Sequence, residues 1–261
     1  MTIPRNRLKT LRALGQKKFR EALGLFIVEG VRVVREAAGS DFEIVEALCT
    51  EEAASDVEVA SLIADLQKRC AVWRVSAREL DGIAETRNAQ GIVAVLRRKP
   101  GAQIALRTSG ESLLVALDAV ADPGNAGTMI RTCDWFGADG IVLGRNSVEL
   151  FNPKVVRSTA GSIFHLPIMD AVDLPPFLTS ARTAGYSIIV TDLQGNDDPD
   201  ALPSVGRSVM VFGNEAWGVS DAVRSLADRR VKIPRFGKAE SLNVTVAAGV
   251  LLASYRRRGK R

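Results

Sequence analysis

Two short runs, Leu113-Leu-Val-Ala-Leu117 and Val209-Met-Val-Phe212, are apolar at every position. A strand with one face in water alternates apolar and polar residues. A strand with no polar face has to be covered on both sides, as in a parallel sheet held between layers of helices. Around these runs the apolar spacing switches between strand and helix periods. From 110 onward it predicts strands over 113–117, 140–143, 165–168, 187–191, 208–212 and 230–233, with helices over 127–136, 152–160, 175–184, 219–227 and 241–256. Such alternation defines an α/β fold. The first hundred residues alternate as well, with helices over 10–23, 31–38, 57–69 and 77–85 and strands over 25–28, 43–49, 72–75 and 91–96. A charged stretch closing on Pro100-Gly101 places a linker at about 98–110. The chain therefore divides into a smaller α/β domain, 1–100, and a parallel-sheet domain, 110–261.

Composition narrows the partners. A chain of 261 residues, 46% hydrophobic and 25% charged, is globular in character. No apolar run reaches the roughly 20 residues of a membrane helix, and the polar start Met1-Thr-Ile-Pro-Arg lacks the apolar core of a signal peptide. The expected place is the cytoplasm, with no membrane partner. The formal charge is +5 but unevenly spread: Arg5, Arg7, Lys9, Arg12, Lys17, Lys18 and Arg20 all precede the first acid, Glu21, and the tail reads Arg256-Arg-Arg-Gly-Lys-Arg261. Clusters of this kind suit a polyphosphate, whose neutralisation releases counterions; a solvated helix face and a frayed tail are the plain alternative. Cys49, Cys70 and Cys133 are far apart, and His165 is the single histidine. That set builds neither a zinc site nor a disulfide framework, and no metal is expected.

In open α/β sheets ligands bind beyond the carboxyl ends of strands, and three loops there are unusual. The first, Asp118-Ala-Val-Ala-Asp122-Pro-Gly-Asn125, leads into a helix bearing Arg131-Thr132. The second, Phe212-Gly213-Asn214-Glu215-Ala-Trp217-Gly218, brackets an acid and an aromatic residue with glycines, which let backbone approach a ligand closely. The third, Ile233-Pro-Arg-Phe-Gly237-Lys-Ala-Glu-Ser241-Leu242-Asn243-Val244, opens a long apolar helix with polar groups beside free N–H donors. Taken singly, each is also an ordinary turn and cap. Glycine motifs of dinucleotide-binding folds and P-loops, zincin HExxH and hydrolase GxSxG are absent.

In this order the three loops resemble the motifs of the SpoU/TrmH family of S-adenosylmethionine-dependent RNA ribose 2′-O-methyltransferases. The first motif matches Asn125 through Arg131-Thr132, the second Gly213 through Gly218, and the third Ile233-Pro234 through Ser241-Leu242-Asn243. Lys17-Lys-Phe-Arg20 and Phe26-Ile-Val-Glu-Gly30 are similar to a substrate-binding domain of ribosomal-protein type, which binds kinked RNA. The resemblance implies a deep trefoil knot near the C-terminus and a homodimer with its active site near the subunit interface. It also implies S-adenosyl-L-methionine bound by Thr191, Gly213, Asn214, Gly218, Ile233, Leu242 and Asn243. The catalytic set it implies is Asn125, Arg131, Glu215, Ser241 and Asn243, with RNA held by Arg5, Arg7, Lys9, Lys17, Lys18 and Arg20. Ribosomal RNA is favoured over transfer RNA by the first domain.

The implied reaction moves a methyl group from a sulfonium to a ribose 2′ oxygen. In the family the arginine matching Arg131 is proposed to activate the hydroxyl. Arginine is protonated in ordinary surroundings, so Arg131 either loses its proton in the site or clamps phosphate and steadies the developing alkoxide. Asn125 positions Arg131 or the ribose. Ser241 and Asn243 hold the phosphate and ribose, and Glu215 orients an arginine or ties the loop backbone. Two other readings stay open: methylation of a base nitrogen, and a non-catalytic RNA-binding or ribosome-assembly protein that retains the fold.

Overall fold

The computed structural model describes residues 3–84, 90–99, 102–202 and 206–258. The Pro100-Gly101 turn, the Glu85 end of one expected helix and the last three residues of the basic tail lie outside the described residues. Contacts group the chain into two units: Met1–Pro100 with Phe151–His165, and Gly101–Leu150 with Leu166–Arg261. Segment 151–165 falls within the expected second domain by sequence but belongs to the first unit by contact.

The first unit opens with α1 (Arg5–Ala13) and α2 (Lys17–Leu23), where one helix over 10–23 was expected. The break is held by Arg20, which is 2% exposed and donates 2.8 Å hydrogen bonds to the carbonyls of Leu14 and Gly15 at the end of α1. Gly24, at φ 65°, ends α2. There follow β1 (Leu25–Glu29), α3 (Val31–Gly39), β2 (Ile44–Cys49), α4 (Glu51–Ala54), α5 (Val57–Gln67), β3 (Ala71–Arg74), α6 (Ala77–Asp81) and β4 (Ile92–Arg97). The sheet order is β1-β4-β2-β3, with only β2 and β3 parallel.

The second unit is built on β5 (Ser112–Leu117), α7 (Pro123–Trp135) and β6 (Gly140–Gly144). The chain then leaves to place α8 (Pro153–Ser158) against β1 of the first unit, with Phe151 4.6 Å from Phe26 and Phe164 5.3 Å from Phe42 between ring centroids. His165, the single histidine, lies in that same unit with Nε2 3.1 Å from Glu36 Oε2. The second unit resumes with β7 (Ile168–Val172), α9 (Leu174–Thr183), β8 (Ser187–Thr191), β9 (Arg207–Phe212), α10 (Asp221–Arg224), β10 (Arg229–Val231) and α11 (Val244–Arg258). The six strands run in the order β10-β8-β9-β5-β6-β7, all parallel. The two unbroken apolar runs are neighbours at its centre, with Leu113 opposite Ser208 and Leu117 opposite Phe212. They are buried throughout, as strands covered on both faces must be.

Candidate active site

Helix α7 starts earlier than its apolar pattern indicates. Asp122 is its cap and accepts the Asn125 N–H at 2.8 Å, and Pro123 takes the first helical position, where a missing N–H costs nothing. With the cap supplied by Asp122, the Asn125 side chain is released for other partners. Its Nδ2 donates to Glu215 Oε1 at 2.8 Å, and its Oδ1 accepts from Asn243 Nδ2 at 3.1 Å. The other Glu215 oxygen accepts the Ala121 N–H at 3.5 Å. Asn243 caps α11 by accepting the Thr245 N–H at 2.8 Å, so that helix begins at Val244 rather than at Ser241. The three unusual loops therefore meet through one amide.

The second loop is braced from both sides. Asn214 and Gly218 exchange backbone hydrogen bonds of 2.9 Å each, and Asn214 Nδ2 donates to the Ala119 carbonyl at 2.7 Å. Asp118 accepts the Ser220 N–H at 2.8 Å. Ala119 sits at φ 58°, a conformation L residues avoid, and this bracing is what holds it there. A methyl group on Gly213 would lie 2.2 Å from the Gly218 carbonyl carbon and the Val219 nitrogen. The loop can close this tightly only around a glycine.

Thr191 ends β8, and the turn after it is anchored through Asp192. Burial alone would raise that carboxyl, but the Gln194 N–H and the Arg230 guanidinium outweigh it and keep it below its ordinary value. The Asp192 N–H also reaches the Val231 carbonyl at 2.9 Å, which ties the turn to the start of the third loop. From Ile233 to Asn243 no backbone N–H donates to another backbone carbonyl among the described residues. That stretch is exposed apart from a half-buried Ile233, and its amides are available to a ligand, as are its carbonyls other than those of Ala239 and Asn243, which accept from Arg235 and Ala247. Such a donor set suits a cofactor held by main-chain groups.

The side chains of Arg131 and Ser241 are exposed and form no hydrogen bond or ion pair among the described residues. Among the residues expected to hold RNA, Arg5, Lys9, Lys17 and Lys18 are exposed. Arg20 is not available for that role, because it is buried in the α1–α2 turn. Arg7 is half-buried and engaged with Glu46, including a 2.7 Å bond from Nε to Oε1. A sequence shows that a residue is cationic, but not which way its side chain points.

One feature of the site extends beyond the three motifs. Beyond the carboxyl ends of β5, β6, β7 and β9 lies a cleft of about 480 Å³, walled on one side by Ala119, Ala121 and Trp217 and on the other by Arg145, Asn146 and Asp173. The signal was present in the chain, because Arg145-Asn146 directly follows a strand, as the three motif loops do. Gly144 closes that strand where a side chain would meet the Leu117 carbonyl and Leu174, each at 2.9 Å.

The comparisons agree with this architecture. The SpoU rRNA Methylase family model matches residues 112–253, and an MRM3-like substrate binding domain matches residues 5–94. The chain is 34% identical to the 23S rRNA (guanosine(2553)-2′-O)-methyltransferase RlmP of Bacillus subtilis, over 96% of each chain. An AdoMet-bound rRNA methyltransferase from Sinorhizobium meliloti superposes with a TM-score of 0.88 at 30% identity, covering 98% of this chain and 97% of that one. The SpoU methyltransferase AviRb from Streptomyces viridochromogenes, in complex with AdoMet, also gives 0.88, at 28% identity over 98% of each. The chain belongs to the SpoU rRNA methylase family.

Proposed function

We infer that this chain is an S-adenosylmethionine-dependent RNA ribose 2′-O-methyltransferase that acts on ribosomal RNA. The observation that carries the reading is the Asn243–Asn125–Glu215 hydrogen-bonded chain, which joins the three family motifs at one point. S-Adenosylmethionine supplies an electrophilic methyl group on a sulfonium. Transfer would break the S–CH3 bond, leave its electron pair on sulfur as a neutral thioether, form an O–CH3 bond and pass the 2′ hydroxyl proton to solvent water. The protein's part is to orient the two groups and to stabilise charge at the ribose oxygen. The main chain of Gly213–Gly218 and Ile233–Asn243, with Thr191 beside them, holds the cofactor. Arg131, with no carboxylate partner among the described residues, clamps the target phosphate and steadies the developing alkoxide. Ser241 holds the phosphate, Asn243 and Asn125 fix the ribose, and Glu215 positions Asn125. The exposed Arg5, Lys9, Lys17 and Lys18 bind RNA away from the reaction centre and set affinity more than rate.

The test is a map of 2′-O-methyl sites in ribosomal RNA from cells with and without the gene. One position should lose its methyl and regain it when purified protein and S-adenosylmethionine are added. A label that lands on a base nitrogen, or no label at all, would defeat the reading. The same reading places the protein in the cytoplasm with its ribosomal substrate.

It also includes the family's trefoil knot and a homodimer. The contact of Asn243 with Asn125 and the packing of α11 on α7 are in keeping with a knotted path. For the dimer the support is an unsatisfied surface. Thr128, Arg131 and Trp135 form one exposed stripe of α7, and Trp135 is 84% exposed. Val246 and Val250, four residues apart on α11, are 52% and 41% exposed. Apolar surface of this kind beside a reactive arginine suits a second copy of the chain. Val250→Glu is expected to convert a dimer of twice 28.1 kDa into a 28.1 kDa monomer in analytical ultracentrifugation, with methyl transfer reduced at least tenfold. A wild-type protein that sediments as a monomer would remove the dimer from the account.

A further inference from the structure

We propose that the cleft beside Trp217 holds the base of the target nucleotide while its ribose lies at Asn125 and Arg131. This rests on the transferase reading and extends it to how the nucleotide is recognised. Three independent features point the same way. The first is position. From β5 the chain moves outward through β6 and β7, whereas β9 lies on the opposite side of β5, so the cleft opens where the winding of the sheet reverses. Ligands of open α/β sheets gather at such points. Its volume of about 480 Å³ lies within the range of small-ligand pockets.

The second feature is the lining. Leu174 and Val223, 3% and 1% exposed, give an apolar floor, and Trp217, 67% exposed, gives an aromatic wall that no core packing explains. Aromatic side chains stack on unpaired RNA bases. The rim carries both signs of charge, because Arg145 lies 3.6 Å from Asp173 and Asp118 stands opposite. A phosphate groove would be basic throughout. A rim of mixed donors and acceptors suits the hydrogen-bonding edge of a neutral heterocycle.

The third feature is the shared wall. Trp217 is two residues from Glu215, which holds Asn125, and Ala121, also on the wall, donates to the same carboxylate. The braced Ala119 keeps that wall in place. A base in the cleft and a ribose at Asn125 are thus served by one fixed loop.

The test pairs three proteins, the wild type and two Trp217 variants, with two RNAs. The RNAs are the rRNA fragment whose methylated position has been mapped, and the same fragment made abasic at that nucleotide with its 2′ hydroxyl retained. On the intact fragment Trp217→Ala should lower kcat/KM roughly 5- to 150-fold, the span of one lost stacking partner. Trp217→Phe should stay within about threefold of wild type, because the stacking face is kept. On the abasic fragment all three proteins should react alike. An equal fall on both RNAs, or none on either, would overturn the proposal. So would a weakened Kd for S-adenosylmethionine in Trp217→Ala, which would give the cleft to the cofactor. If the wild-type protein methylates neither fragment, the transferase reading itself fails, a result separate from any loss of coupling between Trp217 and the base.

Discussion

Arg131→Ala is expected to lower kcat for methyl transfer about 10²- to 10³-fold, the cost of removing one preorganised group aimed at developing charge. The Kd for S-adenosylmethionine should stay within about twofold. Arg131 lies on an exposed stripe of α7 and has no ion pair among the described residues. Truncating it therefore uncovers no buried partner, and the fold should tolerate the change. The cap of α7 rests on Asp122 and the loop contact on Asn125, so neither depends on Arg131. The measurement is single-turnover transfer of labelled methyl to the mapped rRNA fragment. Arg131→Lys separates the two roles open to this residue. Lysine keeps the charge but loses the planar fork that grips a phosphate through two bonds. A clamp predicts a rate nearer alanine than wild type and a flat pH dependence. A near wild-type rate that titrates as a lysine would instead mark this position as the base. An unchanged kcat for Arg131→Ala would take Arg131 out of the site altogether.

The parts of this molecule that local pattern reveals are those whose burial is complete. The central strands β5 and β9 could be read because covering both faces leaves no polar position to blur the signal. Where a segment is short or half-covered, the pattern misleads. A strand over 165–168 was expected, whereas His165 belongs to the first unit and the strand runs Ile168–Val172. The helix expected over 219–227 keeps only one turn, Asp221–Arg224, with Val219 and Val223 buried and the residues after it held by turn hydrogen bonds. The site shows the same division. Asn125 meets Glu215 across 90 residues and Asn243 across 118. No periodicity reports such a contact; the resemblance of whole motifs implied only that these residues share one site. The cleft beside Trp217 escaped notice because concavity is a property of several loops together, although Arg145-Asn146 on its rim directly follows a strand.

Gly213→Ala should do more damage than any other single methyl group added to the second unit's loops. Gly213 is not at a positive φ, so the objection to a side chain is one of space. The new carbon would sit 2.2 Å from two backbone atoms, at Gly218 and Val219, and backbone cannot rotate aside as a side chain can. Relief requires opening the paired hydrogen bonds between Asn214 and Gly218. That releases the brace on Ala119 and the carboxylate that holds Asn125, so the steric fault spreads to all three motifs. Overpacking of this kind costs about 1–3 kcal/mol or more. In a chain of this size each kcal/mol lowers Tm by roughly 2–4 °C, so a fall of about 5–10 °C is expected by calorimetry. The Kd for S-adenosylmethionine should rise more than tenfold, because the displaced main chain is the surface proposed to hold it. Gly39→Ala is the matched control: its methyl group meets nothing within 4 Å, and its Tm should not fall. Should Gly213→Ala melt with the wild type and bind the cofactor as tightly, the close approach at Gly213 would be incidental, and the cofactor would have to be sought on another loop.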